Sequence, residues 1–161
     1  MVSVTGDFTD SNDSEPFRYY AVPEIHAIYP HYGPKDGGTL VKVWGTNFLN
    51  FDDNTRCNFG SKSVAVKFYS STYIECNAPF SDTVGFAIPF SVTLNIQQNS
   101  NQGMPYYYYN RPIISKLLPN YGPASGGNDV KLEGSSFDPF IELPHEVKFR
   151  ELANSYDYTE A

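Results

Sequence analysis

The sequence predicts an all-β chain built from tandem β-sandwiches, and three observations predict it. Aromatic residues make up 16% of the 161 positions, 13 Tyr and 12 Phe among them, while charged residues reach only 18%. Aromatic side chains suit half-buried pleated surfaces, and so little charge argues against both long solvated helices and a disordered polyampholyte. Twelve Gly and twelve Pro punctuate the chain at short intervals, as many short strands joined by turns require. Finally, the block at 23–48 recurs at 112–137 without a gap: Pro23 and Pro112, Tyr32 and Tyr121, Gly37 and Gly126, Phe48 and Phe137 are each separated by 89 positions. A fixed period of this length is the mark of a repeat architecture.

Within one period the elements follow in order. Glu24 to Tyr29 reads as a first strand, ended by the turn residues Pro30, Tyr32, Gly33 and Pro34. Lys35 to Gly38 is a second turn, where Gly37 and Gly38 can take positive φ at little cost. Thr39 to Trp44 alternates, with Val41 and Val43 on one face and Lys42 on the other. Short strands follow around Arg56–Phe59, Val64–Tyr69 and Tyr73–Cys76. Phe90 to Ile96 places Val92, Leu94 and Ile96 inward against Ser91, Thr93 and Asn95 outward, and Met104 to Tyr109 closes the unit. Some seven short strands in one period is the pattern of an immunoglobulin-like sandwich.

The repeat also sets the expected boundaries. Residues 1–22 read as the closing strands of a preceding repeat, because Val2–Thr5 resembles Phe90–Thr93 and Tyr19-Tyr20 maps onto Tyr108-Tyr109. Residues 23–111 form a complete unit, and 112–161 the N-terminal part of a following one, with its own turn residues Pro119, Tyr121, Gly122, Pro123, Gly126 and Gly127. Val147–Phe149 falls near the counterpart of Cys57–Phe59. The linkers Ala21-Val22 and Asn110-Arg111 are short and each precedes a proline, so successive units should join stiffly.

The motif Pro23-x-Ile-x-x-Ile-x-Pro-x-Tyr-Gly-Pro-x-x-Gly-Gly-Thr-x-Val-x-Val-x-Gly-x-Asn-Phe48 resembles the opening of an IPT/TIG domain, the immunoglobulin-like fold shared by plexins and some transcription factors. Cys57-Asn58-Phe59-Gly60 and Tyr73 to Pro79 resemble the next two landmarks of that family. The resemblance implies early-set immunoglobulin sandwiches that occur in tandem on receptors and large secreted proteins. The second repeat departs from the pattern: Asn128-Asp129 stands where the first has Thr39-Leu40, and it has no counterpart of Cys57.

The resemblance also implies that Cys57 and Cys76, 19 positions apart, are bridged, on strands expected to be neighbours; the alternative is two buried free thiols. A bridge closing a loop of that size is worth about 3 kcal/mol and belongs to an oxidising compartment.

His26, His31 and His145 do not form a tight ligand spacing with Asp36, so no metal is expected there. Asp52-Asp53-Asn54 offers oxygens, but not the spaced carboxylate series of a calcium loop. No nucleophile elbow or phosphate-cradling loop is present, so neither catalysis nor a cofactor is expected. Tyr106-Tyr107-Tyr108-Tyr109 is the most unusual run. On a strand two of the four point outward, as an adhesive or sugar-stacking face or as cover for the next domain junction. Asn12-Asp13-Ser14 is a sequon and a candidate glycosylation site.

The net charge is −7 with scattered basic residues, which disfavours nucleic acid as a partner. No stretch approaches the length needed to span a bilayer, so no direct membrane insertion is expected, and Met1–Glu15 is too acidic and polar for a signal peptide. The expectation is an extracellular or cell-surface protein, a rod or filament of repeats serving structure or adhesion. Its partners would be neighbouring repeats or further copies, joined by strand complementation, together with protein or glycan ligands. The alternatives are a ligand-binding ectodomain fragment of a plexin-like receptor and an accessory carbohydrate-binding domain of a larger enzyme.

Overall fold

A computed structural model describes residues 19–100, 103–137 and 147–149. Among the described residues ten strands run in chain order: β1 (Glu24–Tyr29), β2 (Tyr32–Pro34), β3 (Leu40–Thr46), β4 (Arg56–Phe59), β5 (Lys62–Ser70), β6 (Tyr73–Asn77), β7 (Ala87–Thr93), β8 (Met104–Tyr109), β9 (Ile113–Leu118) and β10 (Lys131–Ser135). The first eight form one continuous hydrogen-bonded series, β1-β3-β6-β5-β4-β7-β8-β2, and β9 pairs with β10 separately.

The nine-residue β5 folds that series into a sandwich. Its first half, Lys62–Ala65, pairs with β4, and its second half, Val66–Ser70, pairs with β6. One sheet is therefore β1-β3-β6 with the end of β5, and the other is the start of β5 with β4-β7-β8-β2. Strand alternation sends Ile25, Ile28, Val41, Val43 and Ile74 from the first sheet into the core. From the second come Cys57, Phe59, Phe90, Val92, Tyr106 and Tyr108. The rings of Phe59, Phe90, Tyr106 and Tyr108 meet edge to face at centroid distances of 4.9 to 5.1 Å, the geometry favoured by the ring quadrupole.

The fold differs from the sequence expectation in two places. Tyr32–Pro34 is a strand, parallel to Tyr107–Tyr109 of β8, where a turn was expected. Local turn chemistry was legible there, but the pairing comes from a strand more than seventy positions away. The alternation predicted through Ile96 ends earlier: β7 stops at Thr93, which is buried, while Ile96 is exposed at φ 63°. Asn95 Oδ1 accepts from the N–H groups of Gln97 and Gln98 and turns the chain. The returning segment then pairs back through Thr93 and Asn99, with Ser100 N–H donating to Val92 O at 2.7 Å.

The hairpin β9–β10 repeats the β1–β3 pairing residue by residue. Glu24 faces Thr46 as Ile113 faces Ser135, Ile25 faces Gly45 as Ile114 faces Gly134, and Tyr29 faces Lys42 as Leu118 faces Lys131. Each pair carries a bulge with one extra residue, His26 in β1 and Ser115 in β9. The peptide bonds Tyr29-Pro30 and Leu118-Pro119 are both cis. The glycine pairs match as well, with φ of 79° and 82° at Gly37 and Gly38 against 73° and 87° at Gly126 and Gly127. Gly37 N–H donates to Pro34 O at 2.9 Å, as Gly126 N–H does to Pro123 O.

The surroundings of the hairpin are different. Ile25 and Phe48 are buried, whereas their counterparts Ile114 and Phe137 are 53% and 41% exposed. Tyr121–Pro123, the counterpart of β2, is not a strand, and Val147, Lys148 and Phe149 are exposed and outside any strand.

Candidate functional site

The disulfide joins the two sheets. Cys57 of β4 and Cys76 of β6 are bonded with Cα atoms 6.4 Å apart, both sulfurs inside the core. Their strands are not hydrogen-bonded neighbours, contrary to the expectation from the sequence, because β5 lies between them. Each pairs with a different half of β5, so the bridge spans the sandwich and closes the loop in which β5 changes sheets.

Of the tyrosine run, Tyr106 and Tyr108 are fully buried, because β8 is covered on its inner face by Phe59 and Phe90. Of the run only Tyr107 and Tyr109 lie off the buried face, with Tyr32 alongside Tyr107 on β2. Tyr108 Oη donates to Pro79 O at 2.8 Å. Burial pushes the Tyr106 phenol up to about 12 and that of Tyr108 higher still. An unfolded chain would ionise both near the ordinary value of 10.0. The folded state therefore binds more protons than the unfolded state above that pH, and stability is lost as the pH climbs toward and past 12. Urea midpoints are expected to be flat up to about pH 9.5 and to fall steeply from there. In a spectrophotometric titration Tyr106 and Tyr108 should ionise only together with unfolding; if the Tyr106→Phe/Tyr108→Phe variant loses two phenols from the step near pH 10 while the fold persists, the two are not held in the core as described.

The remaining sequence candidates are dispersed. His26 is the exposed bulge residue of β1, and the His31 ring meets the Tyr32 ring edge-on at 5.2 Å. Asp36 accepts from Arg111 Nε at 2.9 Å, tying the linker after β8 back to the turn before β3. Asp52–Asn54 is one 3-10 turn, from which Thr55 and Arg56 bond to backbone carbonyls. Among the described residues no three His, Cys, Asp or Glu side chains converge, and no helix is long and apolar enough to cross a membrane. Asn12 and His145, with residues 1–18, lie outside the described residues.

Sequence reasoning missed the outer face of the β3-β6-β5 sheet. Two rows cross these strands there, fixed by the register Trp44 opposite Tyr73 and Lys42 opposite Glu75 opposite Lys67. The first row is aromatic: Trp44, Tyr73 and Tyr69, with neighbouring ring centroids 5.6 and 5.2 Å apart. Tyr69 joins it at a bulge in β5, which re-aims the side chain. In the second row Glu75 lies between the two lysines, its oxygens accepting from Tyr69 Oη at 2.7 Å and from Tyr73 Oη. Those two bonds, from Tyr73 first, hold the Glu75 carboxyl below its ordinary range, and the same bond pushes the Tyr73 phenol up to about 12. Lys67 Nζ sits over the Tyr69 ring, 5.0 Å from its centroid. The one signal in the sequence was the single Trp at a position whose neighbours Val43 and Val41 point the other way.

Comparison with known proteins is consistent with this geometry. The family model described as IPT/TIG domain matches residues 23–109, more than half of the chain. The chain is 29% identical over 155 residues to Plexin-A4 of Mus musculus and 28% identical over the same length to Plexin-A4 of Homo sapiens, matching over 91% of itself in each case. It spans only 8% of the length of those relatives. A solved structure of the Plexin A4 full extracellular region, domains 1 to 10, superposes with a TM-score of 0.52 at 28% identity, covering 73% of this chain and 10% of that one. A second structure of that extracellular region, with domains 1 to 8, gives 0.50 at 26% identity, covering 70% and 12%. The eight-strand sandwich with its inter-sheet disulfide and the match over 23–109 together place the chain in the IPT/TIG domain family.

Proposed function

We propose that this chain is a non-catalytic, extracellular segment of a plexin-like surface receptor, in which the sandwich at 23–111 is one of several units in series. A preceding unit closes within residues 1–22 and a following unit opens at Pro112. The matching register, bulge and glycine turns of β1–β3 and β9–β10, 89 positions apart, are the observation that carries this reading. The Asp36–Arg111 contact and the proline after each linker favour a stiff join, so the segment spaces and presents binding faces. The likeness to the extracellular region of Plexin A4 supports the receptor setting over a free-standing filament. Cys57–Cys76 fits an oxidising compartment.

The exposed Ile114 and Phe137 favour a second reading, in which a strand from another copy covers the hairpin and units polymerise into an adhesive filament. Hydrogen exchange on the longest natural form of the protein, with light scattering across a concentration series, separates the two. Protection of β9 and β10 equal to that of β1 and β3, in a monomer, is the expected result. Protection that rises with concentration alongside a doubled mass supports strand donation, and amides of β9 and β10 that exchange like loops at every concentration would overturn both.

A further inference from the structure

The outer face of β3-β6-β5 has the chemistry of a binding platform, and we infer that it takes an anionic glycan chain, a linear polysaccharide bearing sulfate or carboxylate groups. The two rows described above lie across the strands and side by side. Trp44 and Tyr69 are 40% and 48% exposed although both are large aromatics, and Tyr73 completes the row between them. The ring spacing of 5.6 and 5.2 Å is comparable to the advance of one sugar residue in an extended chain, so consecutive sugars can follow the row from Trp44 through Tyr73 to Tyr69, where Lys67 Nζ already covers one ring face.

Charge decides the class of sugar. Lys42 and Lys67 are exposed, and neither ammonium forms an ion pair within 4.0 Å among the described residues. They stand on strands two spacings apart, roughly 10 Å at the backbone, so they address groups one disaccharide apart in an extended chain. The intervening Glu75 remains a carboxylate to which Tyr69 and Tyr73 donate, so against the two lysines it leaves one positive charge in excess. Those hydrogen bonds also hold the two tyrosine rings in place, which lowers the entropy cost of stacking on them. The patch is thus locally positive on a chain of net charge −7, which selects an anion at this face and repels it elsewhere. An acidic peptide would satisfy the lysines, but it would leave three ring faces without planar or sugar partners. Trp44 and Tyr69 keep their exposure although the N-terminal linker runs close by, Val22 O accepting from Asn47 Nδ2 near the end of β3, and the Asp36–Arg111 contact involves none of the residues of the two rows.

The test is titration of the whole chain with a heparin-derived hexasaccharide, followed by calorimetry and by amide chemical shifts. Maltohexaose serves as the uncharged probe and a hexaglutamate peptide as the acidic one. Binding of the heparin hexasaccharide with shifts concentrated in β3, β5 and β6 is expected. Trp44→Ala should weaken it about tenfold, the scale of one lost stacking partner. The double variant Lys42→Gln/Lys67→Gln, which alters only exposed side chains, should weaken it at least as much and flatten its salt dependence. No binding, shifts elsewhere, or affinity untouched by either variant would overturn the proposal. Equal binding of maltohexaose would overturn the charge selection, and equal or tighter binding of hexaglutamate at the same strands would assign the face to acidic peptides instead.

Discussion

Reduction of the Cys57–Cys76 bridge is expected to lower the folding free energy by about 3 kcal/mol, the entropy released to the unfolded chain when a loop of this size opens. The usual stability of a domain is only about 5–15 kcal/mol, so the loss would be a large part of the whole. Its position makes the effect structural as well as entropic. The closed loop contains all of β5, the strand that leaves one sheet and enters the other, and the bridge is the one side-chain cross-link between those sheets among the described residues. Reduction keeps both sulfurs in the core and so isolates the cross-link, whereas Cys57→Ala/Cys76→Ala also removes buried volume and should cost about 1 kcal/mol more. Urea unfolding with and without a reductant measures the first, and the double variant the second. Coincident curves for oxidised and reduced protein would show that the bridge contributes nothing, and would remove the physical reason for tying the fold to an oxidising compartment.

How much of this was legible beforehand depended on whether the information was local or periodic. The 89-residue offset was plain in Pro23 to Phe48 and Pro112 to Phe137, and the structure returns it as equal registers and equal glycine conformations. Val41 and Val43 inward with Lys42 outward follows from the two-residue strand period, and so does the split of Tyr106 and Tyr108 from Tyr107 and Tyr109. The period held for Val92 and Leu94, both buried, and misled at Ile96, because Asn95 turns the chain with its own side chain where the apolar pattern continues. Features that need several strands at once were not legible. The parallel pairing of Tyr32–Pro34 with β8 is one, and the placement of Cys57 and Cys76 in opposite sheets is another. The Trp44–Tyr73–Tyr69 row is the clearest case. Its members are unremarked residues on three strands until β3, β6 and β5 lie side by side and a bulge brings Tyr69 into line.

Gly45→Ala is expected to destabilise the sandwich by about 3 kcal/mol, near the top of the range for overpacking a filled site. A Cβ at Gly45 would lie 2.0 Å from the carbonyl oxygen of Glu24 and 2.6 Å from Phe48 Cζ. The first of these is backbone of the paired strand β1, which cannot swing aside, and the second is a ring with no exposed surface. Gly45 thus permits the close approach by which β1 passes its bulge at His26 and Phe48 fills the end of the core. Gly38→Ala provides the contrast, since its Cβ would meet nothing within 4 Å and only the positive φ of 82° opposes it. That backbone penalty is about 1–2 kcal/mol. The repeat supplies an internal comparison: a Cβ at Gly134 would lie 2.0 Å from Ile113 O and 2.9 Å from Phe137 Cζ, so Gly134→Ala should open the β9–β10 pairing in the same way, but in a hairpin to which no strand of the sandwich is paired. Denaturant melts followed by the single Trp44, which sits on β3 beside Gly45, should place Gly45→Ala well below Gly38→Ala, while Gly134→Ala leaves that signal close to the parent because β9 and β10 pair only with each other. A Gly45→Ala protein as stable as the parent would mean that β1 and β3 do not pack at this register, and the shared geometry that links the two repeats would fail with it.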